Sequence, residues 1–442
     1  MSSSQPRFTV GICGGGVSGL CIAVALSRCP DIEVHVYEAA NSFKEIGAGV
    51  MIWGRAWRAL SLLGLDQVFR EVAGAPADGS ADPQFGFDYR RSDLGSEGFL
   101  IHRHVLPYPG HNFHRAHFLD ALADLLPAGV AHLGKRLVSF TYKNTPTGQV
   151  GLHFVDGTSA TCDVLLGCDG IRSVVRRCMF EGLARDGRPQ LTQYIEPMWT
   201  GEILYRCLIP SEELPLKNGG KHPVLQRPII YCGNNKHFFG YSIGRQKWVN
   251  VGGFVTTPGR RGDTWEEPWV SECSVQEVVE SFAGWERDLQ DIIKCVERPM
   301  KWAVHQVKPL PFFAHRHVAL VGDAAHAMTT HQASGAEQAI EDACVLAALL
   351  SHSSVTQANL SQALKAYERV RLPIAQHVMA VSAATGELYE MRNGLNGDGY
   401  SAWISELKTL WRWVAGEDLK TEINKALVMT RDIGGTRFQY KL

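Results

Sequence analysis

Residues 8–28 read Phe-Thr-Val-Gly-Ile-Cys-Gly-Gly-Gly-Val-Ser-Gly-Leu-Cys-Ile-Ala-Val-Ala-Leu-Ser-Arg, and this order decides the class of fold. A short apolar strand, Phe8-Thr-Val-Gly-Ile-Cys13, runs into Gly14-x-Gly16-x-x-Gly19, and an apolar helical stretch follows. After Pro30 a second strand, Glu33-Val-His-Val-Tyr37, ends at Glu38. The unit is βαβ, with an acidic residue about twenty positions beyond the glycines. Such glycines let the backbone approach a pyrophosphate, whose charge sits at the positive end of the helix. A carboxylate at Glu38 accepts hydrogen bonds from a ribose diol, which favours an unphosphorylated ribose, as in FAD or NAD.

Two further strand ends repeat the theme. Leu165-Leu-Gly-Cys-Asp-Gly-Ile-Arg172 leaves a strand through Asp169-Gly and opens a helix. The later stretch His317-Val-Ala-Leu-Val321 stops at Gly322-Asp323, crosses a polar loop, and restarts at Gly335 as a helix with Ala336, Ala339, Ile340 and Ala343 at apolar positions. A simple NAD dehydrogenase needs only the first of these three strand ends.

Having all three in this order resembles the single-component FAD-dependent aromatic hydroxylases (class A flavoprotein monooxygenases), and the likeness runs through essentially the whole chain. The resemblance implies an α/β fold: a Rossmann-like FAD-binding domain of three layers (β-β-α), an inserted antiparallel-sheet substrate domain, and a C-terminal helical tail. It assigns residues 1–80, 105–185 and 300–395 to the FAD-binding domain, 81–104 and 186–299 to the substrate domain, and 396–442 to the tail. Short alternating strands at about 203–209, 229–232, 237–243 and 248–255 fit the inserted sheet, and the tail's apolar residues recur at helical spacing.

Residue by residue, the resemblance implies that Gly14, Gly16 and Gly19 cradle the pyrophosphate and that Glu38 holds the adenosine ribose. Arg115 would reach the adenosine-diphosphate portion, and Asp323 the pyrophosphate or ribityl chain. Gly335 and Ala336 would present N–H groups to the pyrimidine edge of the flavin, where the helix dipole stabilises negative charge on the reduced ring. Lys44, Gly47, Ala48, Gly49, Val50 and Met51 match the segment that lines the flavin, and Asp169 and Arg172 would help position flavin and reductant. His331-Gln332 and Gly335-Ala336 are similar to the loop of the salicylate hydroxylases, with support from Trp411-Arg-Trp413. Two departures stand out: many relatives carry proline at Thr330 and glycine at Ala333.

On the substrate side, Arg206 interrupts the apolar strand Ile203-Leu-Tyr-Arg-Cys-Leu-Ile209. A guanidinium buried there without an anion costs on the order of several kcal/mol, so its partner is a substrate carboxylate or phenolate, or else an internal glutamate such as Glu202. Arg206 and Tyr241 match the arginine and tyrosine that hold a phenolate in related oxidative dearomatases. His331, in the flavin loop, is placed to contact a carboxylate or relay a proton.

The implied activity is FAD-dependent hydroxylation of a phenolic acid of the salicylate or hydroxybenzoate type, with NADH or NADPH as transient reductant, O₂ as co-substrate, and decarboxylation. The alternatives are dearomatisation of a phenolic polyketide, a flavin oxidase or redox sensor that does not hydroxylate, and an NAD-dependent dehydrogenase. Composition sets the surroundings. The 442 residues are 45% hydrophobic and 20% charged, with a formal net charge of −1 and no basic block, which leaves no counterion-release drive toward nucleic acid and no polybasic membrane patch. No apolar run reaches the roughly 18 residues of a membrane span, and the N-terminus lacks signal-peptide features, so the expected setting is the cytosol, as a monomer or homodimer. Eleven scattered cysteines without a C-x-x-C pair read as reduced thiols.

Overall fold

A computed structural model describes residues 5–43, 49–73, 86–106, 111–144, 148–215, 221–243, 246–395, 398–416 and 418–431. The opening strand, Phe8–Cys13, pairs in parallel with Ile32–Tyr37 on one side and Val164–Gly167 on the other, and Val318–Leu320 lies parallel beyond the latter. The register places Tyr37, Cys13, Gly167 and Leu320 in one row. Glu38, Gly14, Asp169 and Asp323 therefore all leave the sheet along one carboxyl edge, where open α/β sheets bind ligands. Ala131–His132 and Ala314–His315 complete this six-stranded sheet.

The helix Val17–Leu26 is apolar on every side and, apart from Ala25, fully buried, as a helix without a polar face must be. It packs with Gly335–Ser351 over one face of the sheet. The other face meets an antiparallel sheet of Leu137–Tyr142, Val150–Phe154 and Ser159–Cys162. A Cβ at Gly11 would stand 2.8 Å from Cys162 Sγ, so the bare backbone at that position sets how closely the two sheets approach. The result is the three-layer α/β arrangement that the resemblance implied.

An eight-stranded sheet forms the second body, in the order Val270–Glu272, Met300–Gln306, Met198–Pro210, Trp248–Thr256, Lys236–Ile243, Ile229–Gly233, Gly86–Arg91 and Phe99–Val105. The last two strands carried no strand signal in the sequence. Phe99–Val105 runs Phe-Leu-Ile-His-Arg-His-Val without period-two alternation at an exposed edge, where solvent and not a core selects the side chains. Period-two alternation divides the sheet. Tyr205, Ile209, Phe238, Val249 and Val251 sit in a core with Leu289 and Ile292 of the helix Arg287–Lys294. Leu204, Arg206, Phe239, Tyr241 and Phe254 occupy the opposite face, where Phe239 and Tyr241 pack with Met51 and Ala333.

The chain then runs through Leu360–Tyr389, Ser401–Leu410 and Leu419–Arg431. The first and last of these helices are tied to the helix Gly335–Ser351, and through it to the six-stranded sheet, by a buried polar cluster. Arg371 donates from Nε to Asp342 at 2.9 Å, from Nη1 to Glu341 at 2.7 Å and Glu422 at 3.2 Å, and from Nη2 to Gln338 at 2.6 Å. Arg55 bonds the same Glu341 at 2.6 Å and also Glu422. Asp342 in turn accepts the Gly322 N–H at 3.0 Å and faces His326 Nε2 at 2.6 Å. Although burial pulls the other way, His326 and Arg371 hold the Asp342 carboxyl down to about 2. All eleven cysteines are free thiols, and no helix among the described residues is long and apolar enough to cross a membrane.

Removing one member of such a cluster leaves uncompensated buried charge. Arg371→Met is expected to lower the unfolding free energy by about 3–5 kcal/mol. The midpoint of a urea titration reads this directly, and an unchanged midpoint would mean that the three carboxylates do not need their guanidinium.

Candidate active site

The geometry of the glycine turn leaves one side closed and one open. Gly14 has φ 103°, and a Cβ there would meet the Cys168 carbonyl oxygen at 2.2 Å. A Cβ at Gly19 would meet the Gly14 carbonyl oxygen at 2.1 Å, whereas nothing lies within 4 Å of one at Gly16. The helix starting at Val17 has no side-chain cap, so its first-turn N–H groups are offered outward. Glu38 accepts the Gly15 N–H at 2.7 Å and the Ala40 N–H at 2.8 Å, which fixes its carboxylate beside the turn.

At the second strand end both oxygens of Asp169 serve the helix Val174–Arg185. Ser173 Oγ donates at 2.5 Å, and the Val174 and Val175 N–H groups at 2.7 and 3.0 Å. Burial nevertheless holds this carboxyl above its ordinary range. Asp169 is thus a cap in its own right, whatever it contributes to a ligand. Arg172 is exposed and lies 3.8 Å over the Trp269 ring, which stacks on His305 at 3.6 Å. The buried Arg176 reaches from this motif to the next, donating to the Ala324 carbonyl at 2.8 Å.

At the third strand end Asp323 is exposed, and its carboxylate bonds to no other described residue. A Cβ at Gly335 would lie 3.8 Å from Asp323 Oδ1, so the Gly-Asp turn and the helix start face each other across a short gap. The helix Gly335–Ser351 has no side-chain cap. The N–H groups of Gly335 and Ala336 meet no acceptor among the described residues.

The loop between them is held rigidly. Ala333 donates its N–H to the Thr330 carbonyl at 3.0 Å and sits at φ 53°. Thr330, exposed, thus uses its carbonyl to close the turn. The Gln332 side chain donates to Thr385 Oγ1 at 2.9 Å and the Leu410 carbonyl at 3.0 Å, and accepts from Trp413 Nε1 at 2.8 Å. The Gln332 carbonyl takes Trp53 Nε1 at 3.1 Å. Gly49 and Met51 lie on the strand Gly49–Ile52, paired with His111–His114, and Met51 is buried. Lys44, Gly47 and Ala48 fall outside the described residues.

Arg206, half-buried, pairs across the sheet with Gly252, which pairs with Phe239. A Cβ at Gly252 would meet the Phe239 ring at 2.4 Å, so the absent side chain makes room for that ring over the strand that pairs with the arginine's. Among the described residues no carboxylate pairs with Arg206. Its pKa is lowered by desolvation and by the nearby Arg115 charge, against an opposing pull from Tyr241. Burial raises the Tyr241 hydroxyl, with Arg206 and Asn250 opposing. Arg206, Arg115 and Tyr241 therefore form one electrostatic neighbourhood.

Glu202, the internal candidate for pairing Arg206, goes elsewhere: its Oε2 lies 3.3 Å from Nε2 of His331. His331 is a buried residue and not a solvated loop histidine. His237, on the same sheet face, bonds Glu390 at 3.1 Å, while burial pushes its imidazole below the ordinary range.

Residues 257–382 match the FAD binding domain family. Salicylate hydroxylase of Pseudomonas putida is 35% identical over 96% of this chain and 96% of its own length. The 6-methylsalicylate 1-monooxygenase of Aspergillus terreus is 33% identical over 97% of this chain and 93% of its own. The solved structure of a salicylate hydroxylase substrate complex superposes with a TM-score of 0.82 at 30% identity, covering 96% of this chain and 98% of that one. The chain belongs to the salicylate hydroxylase-type FAD-dependent monooxygenases.

FAD is accordingly this monooxygenase's cofactor, and the NAD-dependent dehydrogenase is set aside. The site fits the group: an open Gly16, two uncapped helix starts and an Asp323 carboxylate with no hydrogen bond among the described residues line one edge, which is the donor and acceptor set a dinucleotide needs. What sequence reading missed are the partners that hold the loop. Trp413 was singled out as part of the tail motif, but its bond to Gln332 spans 81 residues and Glu390 to His237 spans 153, so no local pattern signals either.

Ala333 stands in the left-handed region, where a Cβ costs roughly 1–2 kcal/mol relative to glycine. Ala333→Gly in this monooxygenase is therefore expected to raise the unfolding free energy by about 1 kcal/mol, the larger chain entropy of glycine offsetting part of the relief. Denaturant titration of the two proteins checks it, and a less stable variant would show that the turn carries no such strain.

Proposed function

We propose that this monooxygenase hydroxylates a phenolic aromatic acid of the salicylate or hydroxybenzoate type, using NAD(P)H and O₂, and expels the carboxyl group as CO₂. One observation carries the reading: Arg206 is a desolvated cation with no carboxylate partner among the described residues, on a sheet face walled by Phe239 and Tyr241. A site that withholds its own carboxylate from a guanidinium is built for an anion supplied by the ligand.

Bound FAD supplies the redox chemistry, accepting hydride equivalents from the nicotinamide and activating O₂. The chain supplies the rest. Gly14, Gly16, Gly19 and Glu38 would hold the adenosine and pyrophosphate end, with Arg115 and Asp323 along the chain between. Gly335 and Ala336 would offer their N–H groups to the ring's carbonyl edge, and the positive end of the helix Gly335–Ser351 favours negative charge there. Arg206 would bind the substrate anion, and Tyr241 would orient the ring. His331 would exchange the phenolic proton, since ionising the phenol drives electron density onto the ortho and para carbons. When oxygen enters at the carbon bearing the carboxylate, the carbon–carbon bond breaks, its electron pair restores the aromatic ring, and CO₂ leaves.

Incubation of the FAD-loaded enzyme with NADH or NADPH and a panel of hydroxybenzoates is expected to give substrate-stimulated nicotinamide oxidation. The product should carry one added oxygen and lack CO₂. Retention of the carboxyl group on every acid removes the decarboxylating step, and stoichiometric H₂O₂ without hydroxylated product removes hydroxylation altogether. Arg206→Met is expected to weaken salicylate binding by about 2–3 kcal/mol, the worth of a hydrogen-bonded charge, with FAD content unchanged. Titration of flavin fluorescence with salicylate measures it, and equal affinity in both proteins would move the anion site elsewhere.

A further inference from the structure

Behind the loop that carries His331 lies a second cluster of buried titratable groups that the reaction so far leaves idle. His331 Nε2 is 3.3 Å from Glu202 Oε2. Among the described residues neither atom makes a hydrogen bond, so the two stand at ion-pair distance without hydrogen-bond geometry, and Nδ1 of His331 is likewise buried and unbonded. Buried polar atoms left this way call for a reason. The imidazole is pressed onto the long helix where it passes Gly386, since a Cβ there would stand 2.4 Å from Nε2. His237 lies edge-on to it, with ring centroids 5.2 Å apart, and Nδ1 of His237 bonds Glu390 at 3.1 Å. Phe254 stacks on His237 at 4.4 Å and lies 4.8 Å from His331, closing one side with an apolar wall.

Glu202 also faces outward. It lines a polar cavity of about 60 Å³, shared with Thr200, Thr256, Thr329, Arg261 and Arg392, which is room for a few waters with polar partners. The charged groups around the two imidazoles are thus Glu202 from one strand, Glu390 and Arg392 just beyond the long helix, Glu387 within it, and Arg261 from the loop that follows Thr256. On the inner side, Phe254 and His237 form the cross-strand row next to that of Gly252 and Phe239, in which Arg206 stands. Adjacent same-face rows are roughly 7 Å apart, about the length of a hydroxybenzoate. A ring anchored on Arg206 is therefore long enough to span to the row of Phe254 and His237, on which His331 packs.

We infer that Glu202 and His331, steadied by His237 and Glu390, form a proton relay that connects the substrate phenol to water in this cavity. The inference rests on the reading of His331 as the group that exchanges the phenolic proton. In the forward step the phenol O–H bond breaks and its proton goes to Nδ1 of His331. Nε2–H gives a proton to Glu202, and Glu202 passes it to cavity water, leaving a phenolate. The reverse sequence returns one proton and restores the tautomer. Glu202 is a relay residue that touches no reacting atom, and Glu390 is a positioning residue.

The test compares two substrates on the FAD-loaded, full-length enzyme: salicylate, and a salicylate bearing a nitro group para to the hydroxyl, whose phenol is far more acidic. Glu202→Gln is expected to lower kcat on salicylate at least about tenfold, the lower range for loss of a positioned proton acceptor, with KM and FAD content little changed. On the nitro compound the loss should shrink to less than about threefold as pH rises and the phenol arrives ionised. Glu202→Asp should recover most of the salicylate rate, and Glu390→Gln should show the same substrate-dependent split in weaker form. Equal losses on both substrates, or no loss, overturn the relay. If Glu202→Gln fails to load FAD, Glu202→Asp and Glu390→Gln on the same substrate pair decide the matter. A separate His331→Asn variant distinguishes the two levels. Full activity there overturns the role of His331 itself, whereas loss in His331→Asn with none in Glu202→Gln overturns only the relay.

Discussion

The guanidinium of Arg371 is the constraint around which the rest is arranged. It sits in the interior with no exposure, bonded to Asp342, Glu341, Glu422 and Gln338. A buried charge tolerates few geometries, because each N–H must meet an acceptor and each carboxylate a donor. Satisfying it fixes the helix that starts at Gly335 against the helix of residues 360–389 and the last described helix. Through Asp342 it also fixes Gly322 and His326, and so the turn that presents Asp323. The position of the flavin-side helix start is thus set by a polar cluster on its far side.

Arg206 shows the opposite use of the same side chain. Both arginines lose water, but Arg371 is surrounded by carboxylates and has its pKa driven up, whereas Arg206 has none among the described residues and has its pKa driven down by desolvation and by Arg115. The first arrangement is complete without a ligand. The second is left open, and so is the Asp323 carboxylate opposite Gly335, which makes no hydrogen bond among the described residues. Polar groups left unsatisfied in this way mark where ligands complete the structure.

The loop of residues 329–336 joins these two regimes. Its backbone is bent through a left-handed alanine, and its Gln332 is clamped by Thr385, Leu410 and Trp413 from helices late in the chain. Its His331 is turned away from solvent toward Glu202. Rigid support on several elements is what a site needs if substrate and cofactor are to meet at fixed distance.

The sequence alone determined the βαβ unit, the three strand ends and the helix start at Gly335, because those signals are local: apolar runs, glycine turns and capping positions within a few residues of one another. It also picked out Arg206 by its charge within an apolar strand. Asp169 as a cap of its own helix, Glu202 as partner of His331 and not of Arg206, the strands Gly86–Arg91 and Phe99–Val105, and the clamp of Trp413 on Gln332 were decided only by the tertiary structure. The physical reason is common to them. A carboxylate or an edge strand is chemically able to serve several partners, and which one it meets depends on how sheets and helices distant in sequence come together.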